Sequence, residues 1–331
     1  MSERHTHIAR TLIETVAYGD AAGLPVETMS AAKIAARYGR IDRLLPPKDN
    51  PFYVGDFPAG TWSDDTHLTM VVADALSHGD FDLRDIADKH VVAYHETPQV
   101  TNPNGQRVTR GWGGSTTRSV QRIIDGIAPE KSGEQDGGGN GVVMKMSPLV
   151  LWQHGREVDD ISRYEQYDQL TTMTHDSDIA RAATRIHGDV LFGLLGGVCE
   201  REEFLGLLRR SSYLHDPSGR FWEIFQYMEQ YPSLSQAILL RETDGKGFFV
   251  PYTLAMAYGV YLMHPRNIGG AVYEAVNLGG DTDSIASIAA TMVRMTGDHE
   301  TILPPDSGLL FDRERLQKCS ERLAKISFLH R

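Results

Sequence analysis

Apolar residues recur at helical spacing along almost the whole chain. From Thr6 to Tyr18 they fall at Ile8, Ala9, Leu12, Ile13 and Val16, one stripe on a 3.6-residue helix. Similar patterns run through about 66–77, 83–94, 115–125, 142–153, 178–194, 200–210, 219–229, 251–263, 267–277, 283–295 and 313–327. No series of alternating β-branched runs lies between them. A doubly wound α/β sheet would need such strands, so the pattern predicts an all-α fold.

The breaks fall at glycine and proline. Leu44 to Pro58 holds Pro46, Pro47, Pro51 and Pro58 and reads as an irregular surface loop. Ser132 to Gly141 is by composition the most flexible stretch, and Thr97 to Gly105 is a further polar loop. The chain has 331 residues, 41% of them hydrophobic, enough for a large core. With no internal repeat and no long linker, a single domain over 1–331 is expected.

The net charge of −11 argues against nonspecific binding to nucleic acid or to an anionic membrane. It leaves room for a nucleotide-like ligand held locally. Cys199 and Cys319 form no CxxC and no zinc spacing, so no disulfide framework is expected. The first residues are polar, with no apolar signal core. The longest nearly apolar stretch, Val190 to Cys199, carries three glycines and falls far short of a membrane span of roughly 20 residues. A soluble cytoplasmic protein is expected.

Two acidic clusters stand more than two hundred residues apart. One is Gly60-Thr61-Trp62-Ser63-Asp64-Asp65-Thr66, the other Gly279-Gly280-Asp281-Thr282-Asp283-Ser284. Each sits where a helix should begin. A lone Asp there reads as an N-cap, accepting backbone N–H bonds. A cap needs one oxygen, so the doublets leave a carboxylate over. Two carboxylates at 4 Å repel by about 4 kcal/mol at an effective dielectric of about 20. Four of them brought together call for a cation or for protonation. Carboxylates with hydroxyls form a hard-oxygen set suited to Mg²⁺, Mn²⁺ or Ca²⁺. If the clusters meet, a two-metal centre follows; two separate solvated clusters remain the alternative.

Three further elements are weaker. In Gly19-Asp20-Ala21-Ala22-Gly23-Leu24-Pro25-Val26-Glu27, the glycines permit close approach and Pro25 stops a helix. Taken alone, Asp20 and Glu27 read there as surface acids flanking a bend. Gly138-Gly139-Asn140-Gly141, running into an apolar segment, can offer N–H groups to phosphate, although it lacks the lysine and threonine of a P-loop. In Thr174-His175-Asp176-Ser177-Asp178, the histidine reads as structural and the acids as first-turn residues.

In this order the elements resemble the ADP-ribosylglycohydrolase family. The matching pieces are GDAAGLPVE (19–27), TWSDDTHL (61–68), RGWGGSTTRSVQRIIDG (110–126), the GNG-led segment from Asn140 to Leu149, THDSDIA (174–180) and GGDTDSIASIAAT (279–291). The resemblance implies a compact, orthogonal helical bundle with a binuclear Mg²⁺ or Mn²⁺ centre. By position, Ser63, Asp64 and Asp65 would ligate one ion, and Asp281, Asp283 and Ser284 would complete the pair, with Asp283 as bridge. Serines 63 and 284 stand where many relatives have threonine, a change that keeps the hydroxyl. Asp65 and Glu27 are the expected catalytic carboxylates. Asn140, Gly141, His175, Gly113, Gly114 and Ser115 would bind the ribose and diphosphate.

The implied reaction is hydrolysis at the anomeric carbon of an ADP-ribosyl group, through an oxocarbenium-like transition state. The expected substrate is an ADP-ribosylated protein, arginine-linked first, acted on by a monomer. A free ADP-ribosyl conjugate and a non-catalytic binding or structural role are the alternatives. Trp112, Tyr164, Phe249 and Tyr252 are candidates for the adenine, each equally readable as core.

Overall fold

The helical periodicity is realised along the chain. The computed structural model describes residues 3–102, 104–230, 247–297 and 302–327. The helices are α1 Glu3–Gly23, α2 Ala31–Tyr38, α3 Asp64–Leu76, α4 Leu83–Glu96, α5 Gly114–Ile124, α6 Ser147–Gly155, α7 Asp160–Thr172 and α8 Asp178–Leu195. They continue as α9 Arg201–His215, α10 Arg220–Phe225, α11 Tyr227–Gln230, α12 Val250–Met263, α13 Ile268–Leu278, α14 Thr282–Met295 and α15 Arg313–Ser327. The fold is all-α.

The centre of the molecule is the pair α1 and α14. Every residue of α14 is buried, and α1 is buried continuously from Leu12 to Gly23. A helix apolar or small on all sides belongs inside a bundle. Gly19 and Gly23 let the two backbones touch: an added Cβ at Gly19 would lie 2.6 Å from Ala286 O, and one at Gly23 would strike the backbone of Thr282 and Asp283. Arg294 ties the pair from α14, its Nε donating to Thr15 Oγ1 at 3.1 Å. Around this pair pack α3, α12, α13 and α15, with α4, α7 and α9 further out.

The sequence pattern needs four adjustments. The helix expected over 142–153 divides into a 3-10 turn, Val143–Lys145, and α6. Pro148 has no N–H to donate and is accommodated in the first turn of a new helix. The helix expected over 219–229 divides at Gln226 into α10 and α11. A short antiparallel hairpin, β1 Gln99–Thr101 with β2 Arg107–Thr109, occupies part of the expected polar loop, Val100 facing Val108. Helices α2 and α7 are additional to the pattern: α2 is short and buries only Ile34, and α7, which lacks an apolar stripe, buries Arg163 and Thr171 beside Tyr167 and Leu170.

Two loops are better anchored than their composition suggests. The glycine-rich segment is held by Glu134 N–H on Thr174 O, by Ser132 Oγ on Met173 O, and by Val250 N–H on Gly138 O. The loop 44–58 has no regular structure, yet it sends Asn50 and Tyr53 inward, each almost wholly buried. Both cysteines are free, Cys199 exposed and Cys319 buried. Among the described residues no helix is long and apolar enough to cross a membrane.

Candidate metal centre and cleft

The first acidic cluster is freed from capping duty by two other residues. Ser63 is the N-cap of α3, its Oγ accepting from Asp65 N–H at 3.3 Å. Asp20, projecting from α1, accepts from the N–H of Ser63 at 2.9 Å, and from the N–H and Oγ1 of Thr66 at 3.0 and 2.5 Å. The N–H groups of Asp65 and Thr66 in the first turn of α3 are thereby met, and the side chains of Asp64 and Asp65 are left for other work.

The second cluster is set by glycines. Gly279 and Gly280 both have positive φ, 79° and 85°, a region costly for other residues. Gly280 exchanges backbone bonds with the segment after Glu27: its N–H donates to Met29 O at 2.8 Å, and its carbonyl accepts from Thr28 N–H at 2.7 Å. This clamp puts Glu27 beside the start of α14. Asp281 occupies the N-cap position of α14 without making a side-chain cap bond.

The two clusters meet. Ser284 Oγ donates to Asp65 Oδ2 at 3.2 Å, joining residues 219 apart in sequence. Carboxylate oxygens of Glu27, Asp281 and Asp283 lie within 4.8 Å of one another. Asn140 donates from its amide to Asp281 and to Thr253 Oγ1, the latter at 3.1 Å. Asn50 donates to Glu27 Oε2 at 2.9 Å. These groups open on a cleft of about 260 Å³, whose walls also include Gly113, Gly114, Ser115, Gly141 and His175. At its edge Gly111, with φ +83°, lies flush on Asp64: an added Cβ would sit 2.8 Å from Asp64 Oδ1.

Burial and mutual repulsion dominate the electrostatics. Burial, then the charge of Asp283, pushes Asp20 up to about 7 and Asp64 up to about 8. The same two causes hold Glu27, Asp65 and Asp281 well above the ordinary carboxylate range. Burial raises Asp283 too, opposed by bonds from Asp281 and from the Ser284 N–H. Lys145 is wholly buried and its ammonium has no hydrogen-bond partner among the described residues. Burial brings it down to about 7, with Asp64 pulling the other way. The first residues of α3, α5 and α14 all face the cleft, and their helix dipoles favour ionised carboxylates.

The donor set fits a hard divalent cation. Asp65 Oδ1 is buried and has no hydrogen-bond partner among the described residues. Such an orphaned oxygen, among carboxylates that raise one another, is what a cation would satisfy. Glu27, Asp281 and Asp283 form the tightest group, and Asp64 and Asp65 line the same cleft.

The structure changes the reading of several residues. Asp20 and Glu27 are not surface acids: Asp20 has no exposure, and Glu27 is half-buried in the cleft. His175 is neutral, burial bringing it down to about 3, and its Nδ1 lies 2.9 Å from Thr174 Oγ1. Asp176 and Asp178 are spent on Arg181, as first-turn acids would be. Of the adenine candidates, Trp112 is buried, Tyr164 donates to Asp189, and Phe249 packs over Gly138 with Tyr252 edge-on to it. Among the described residues Phe248, 42% exposed, reaches the cleft. Asn50, Lys145 and Phe248 were missed. Asn50 sits in a proline-rich loop and Lys145 follows an apolar run, so neither carries a local signal.

An all-α protein with convergent carboxylates at helix N-termini is thus defined, its cleft suited to a divalent cation. The chain belongs to the ADP-ribosylglycohydrolase family, whose model matches residues 8–328. It is 26% identical over 322 residues to a protein of Archaeoglobus fulgidus described as uncharacterized, covering 96% of each. To the Escherichia coli protein YegU, also described as uncharacterized, it is 31% identical over 291 residues, covering 83% of each. To the ADP-ribosylarginine hydrolase Tri1 of Pseudomonas putida it is 24% identical over 237 residues, covering 71% of this chain and 58% of that one. A solved structure titled as an ADP-ribosylglycohydrolase-related protein complex shares the fold: TM-score 0.71, 22% identity, covering 98% of this chain and 100% of that one.

Proposed function

We propose that the chain is a metal-dependent hydrolase, acting as one domain, that cleaves the glycosidic bond between ADP-ribose and an acceptor, first an arginine side chain. The observation that carries this reading is the meeting of the two acidic clusters around the triad Glu27, Asp281 and Asp283. The arginine linkage takes its support from the name of the Tri1 relative.

Asp64, Asp65, Asp281 and Asp283, with the hydroxyls of Ser63 and Ser284, would hold two Mg²⁺ or Mn²⁺ ions. Bound there, such ions supply Lewis-acid polarisation of water and of the ribose hydroxyls. Asp65 would accept a proton from the attacking water. Glu27, in the cleft and steadied by Asn50, would exchange a proton with the departing group. The buried carboxylates stabilise the positive charge that develops on the sugar. Neutral His175 and the amides of Gly113, Gly114, Ser115 and Gly141 would face the ribose and diphosphate, with Asn140 holding Asp281 in place.

The test is release of free ADP-ribose from ADP-ribosyl-arginine and from an ADP-ribosyl-serine peptide, with Mg²⁺, with Mn²⁺ and with EDTA. Metal-dependent release from the arginine conjugate is expected, abolished in Asp283→Ala. Turnover persisting in that variant, or in EDTA, would sink the assignment.

A further inference from the structure

Across the Gly111–Trp112 segment from the metal cleft lies a second cavity, of about 160 Å³, with room for one side chain. It shares Asp64 with the cleft but none of Gly139, Asn140, Gly141 and His175. It therefore adjoins the carboxylate end, away from the glycine loop. Its walls include Tyr53, Trp62, Arg110 and Arg315. Trp62 is fixed by its indole N–H, which donates to Phe311 O at 2.8 Å. Arg110 is held over aromatic rings, its Cζ 5.1 Å from the centroids of both Tyr53 and Phe57.

Neither Arg110 nor Arg315 makes an ion pair with a carboxylate among the described residues. Some arginines elsewhere do, as Arg40 with Glu274, Arg118 with Glu134 and Arg185 with Asp168; what distinguishes Arg110 is its seat over two aromatic rings at a cavity wall. The chain carries an excess of eleven negative charges, so unpaired guanidiniums are not for want of acids. The carboxylates lining this cavity are Asp64, which belongs to the metal centre, and exposed Glu96. Two guanidinium donors, Arg110 held over its rings and Arg315 exposed at the rim, flank the path by which a group leaving the anomeric carbon would pass Asp64. Guanidinium is the group best shaped to take a carboxylate through paired N–H bonds.

We propose that this cavity is the acceptor subsite, and that Arg110 and Arg315 select protein acceptors with an acidic residue flanking the ADP-ribosylated one. The proposal rests on the hydrolase reading above. A peptide suits the site better than a nucleic acid: the cavity takes one side chain, and the negative net charge offers no long basic track for a phosphate backbone.

Matched peptides ADP-ribosylated on arginine and flanked by Glu or by Lys test this on the metal-loaded protein, wild type, Arg315→Gln and Arg110→Gln. A 5′-phosphorylated oligonucleotide serves as competitor. The readouts are kcat/KM for ADP-ribose release and binding of the unmodified peptides by fluorescence anisotropy. Wild type should favour the Glu-flanked peptide by about tenfold, the scale of one charge-assisted contact. Each variant should bring the ratio towards one, and Arg110→Lys, which keeps the charge, should restore part of it. Because Arg315 is exposed and unstacked, Arg315→Gln separates charge from any loosening around Tyr53. Equal rates and equal binding for the two peptides would overturn the subsite. Stronger competition by the oligonucleotide than by the Glu-flanked peptide would overturn its assignment to protein acceptors. A binding preference without release from any substrate would leave the subsite standing and overturn the hydrolase reading.

Discussion

Replacing Gly23 by alanine should uncouple the carboxylate centre from an otherwise intact fold. Alanine is the better helix former, by about 1 kcal/mol in a helix interior and less at Gly23, the last residue of α1, so local propensity favours the change only weakly. Packing opposes it. Ordinary contact begins near 3.4 Å, and at Gly19, one turn earlier, an added Cβ already falls to 2.6 Å from the α14 backbone. At Gly23 it would strike Thr282 and Asp283 more closely still. Backbone cannot rotate away as a side chain can, so α14 must retreat at its first turn by about 1 Å. Overpacking of this kind costs about 1–3 kcal/mol, offset only slightly by propensity, so the net loss of stability should stay under about 3 kcal/mol. The larger effect falls on function, because the residues displaced are those between Asp281 and Asp283. A shift of about 1 Å in a reacting geometry costs about a hundredfold in rate. Differential scanning fluorimetry, Mn²⁺ titration and ADP-ribose release would be compared with Gly308→Ala, where an added Cβ meets nothing within 4 Å. Wild-type metal affinity and turnover in Gly23→Ala would refute the view that this helix contact sets the site.

The metal-free protein should lose stability as pH rises from about 6.5 to 8.5. A carboxyl raised in the folded state loses its stability contribution from about pH 4 up to its folded pKa. Asp20 and Asp64, raised to about 7 and about 8, therefore contribute to the fall only up to those values, and Glu27, Asp65 and Asp281, held well above the ordinary carboxylate range, carry it through the rest of the window. Unfolded histidine is half-charged at about pH 6.5, so His67 and His175, lowered to about 4 and about 3, oppose the trend at the start of the window, and Lys145, lowered to about 7, opposes it above that with a single proton. Melting temperatures in EDTA at the two pH values check the sign, and a higher value at pH 8.5 would contradict it. Lys145→Met should tighten divalent-metal binding by removing a buried cation near Asp64, measured as a lower Mn²⁺ Kd; a weaker Kd would show the ammonium holding a carboxylate in place. Asn140→Ala should weaken metal binding by about 10–100-fold, since its amide orients Asp281 from outside the ligand set; calorimetry reads this directly.

The fold was legible where burial and periodicity coincide. Helices α1, α8, α12 and α14 bury long apolar faces and were visible in the sequence. Helix α7 was not, because it buries an arginine and a threonine through specific partners, and a hydrophobic stripe cannot record those. The hairpin was hidden for another reason: with three residues a side, β1 and β2 are too short for alternation to stand out.

For the site, the sequence carried the chemistry of each piece and the structure supplies the division of labour among them. Asp20 and Asp64 have the same side chain and similar local settings at a helix end. One caps a neighbouring helix from outside, and the other is left to the cleft. Only the crossing of α1 against α14 and α3 separates those roles, and that crossing depends on glycines whose importance is steric and long-range. The result is an expensive arrangement: carboxylates packed by backbone contacts, raised by one another, with Asp65 Oδ1 lacking a donor. Rigid packing lets that repulsion persist in the folded chain without relaxing away. A cation entering the cleft would then meet a charge already concentrated, with little rearrangement left to oppose its binding.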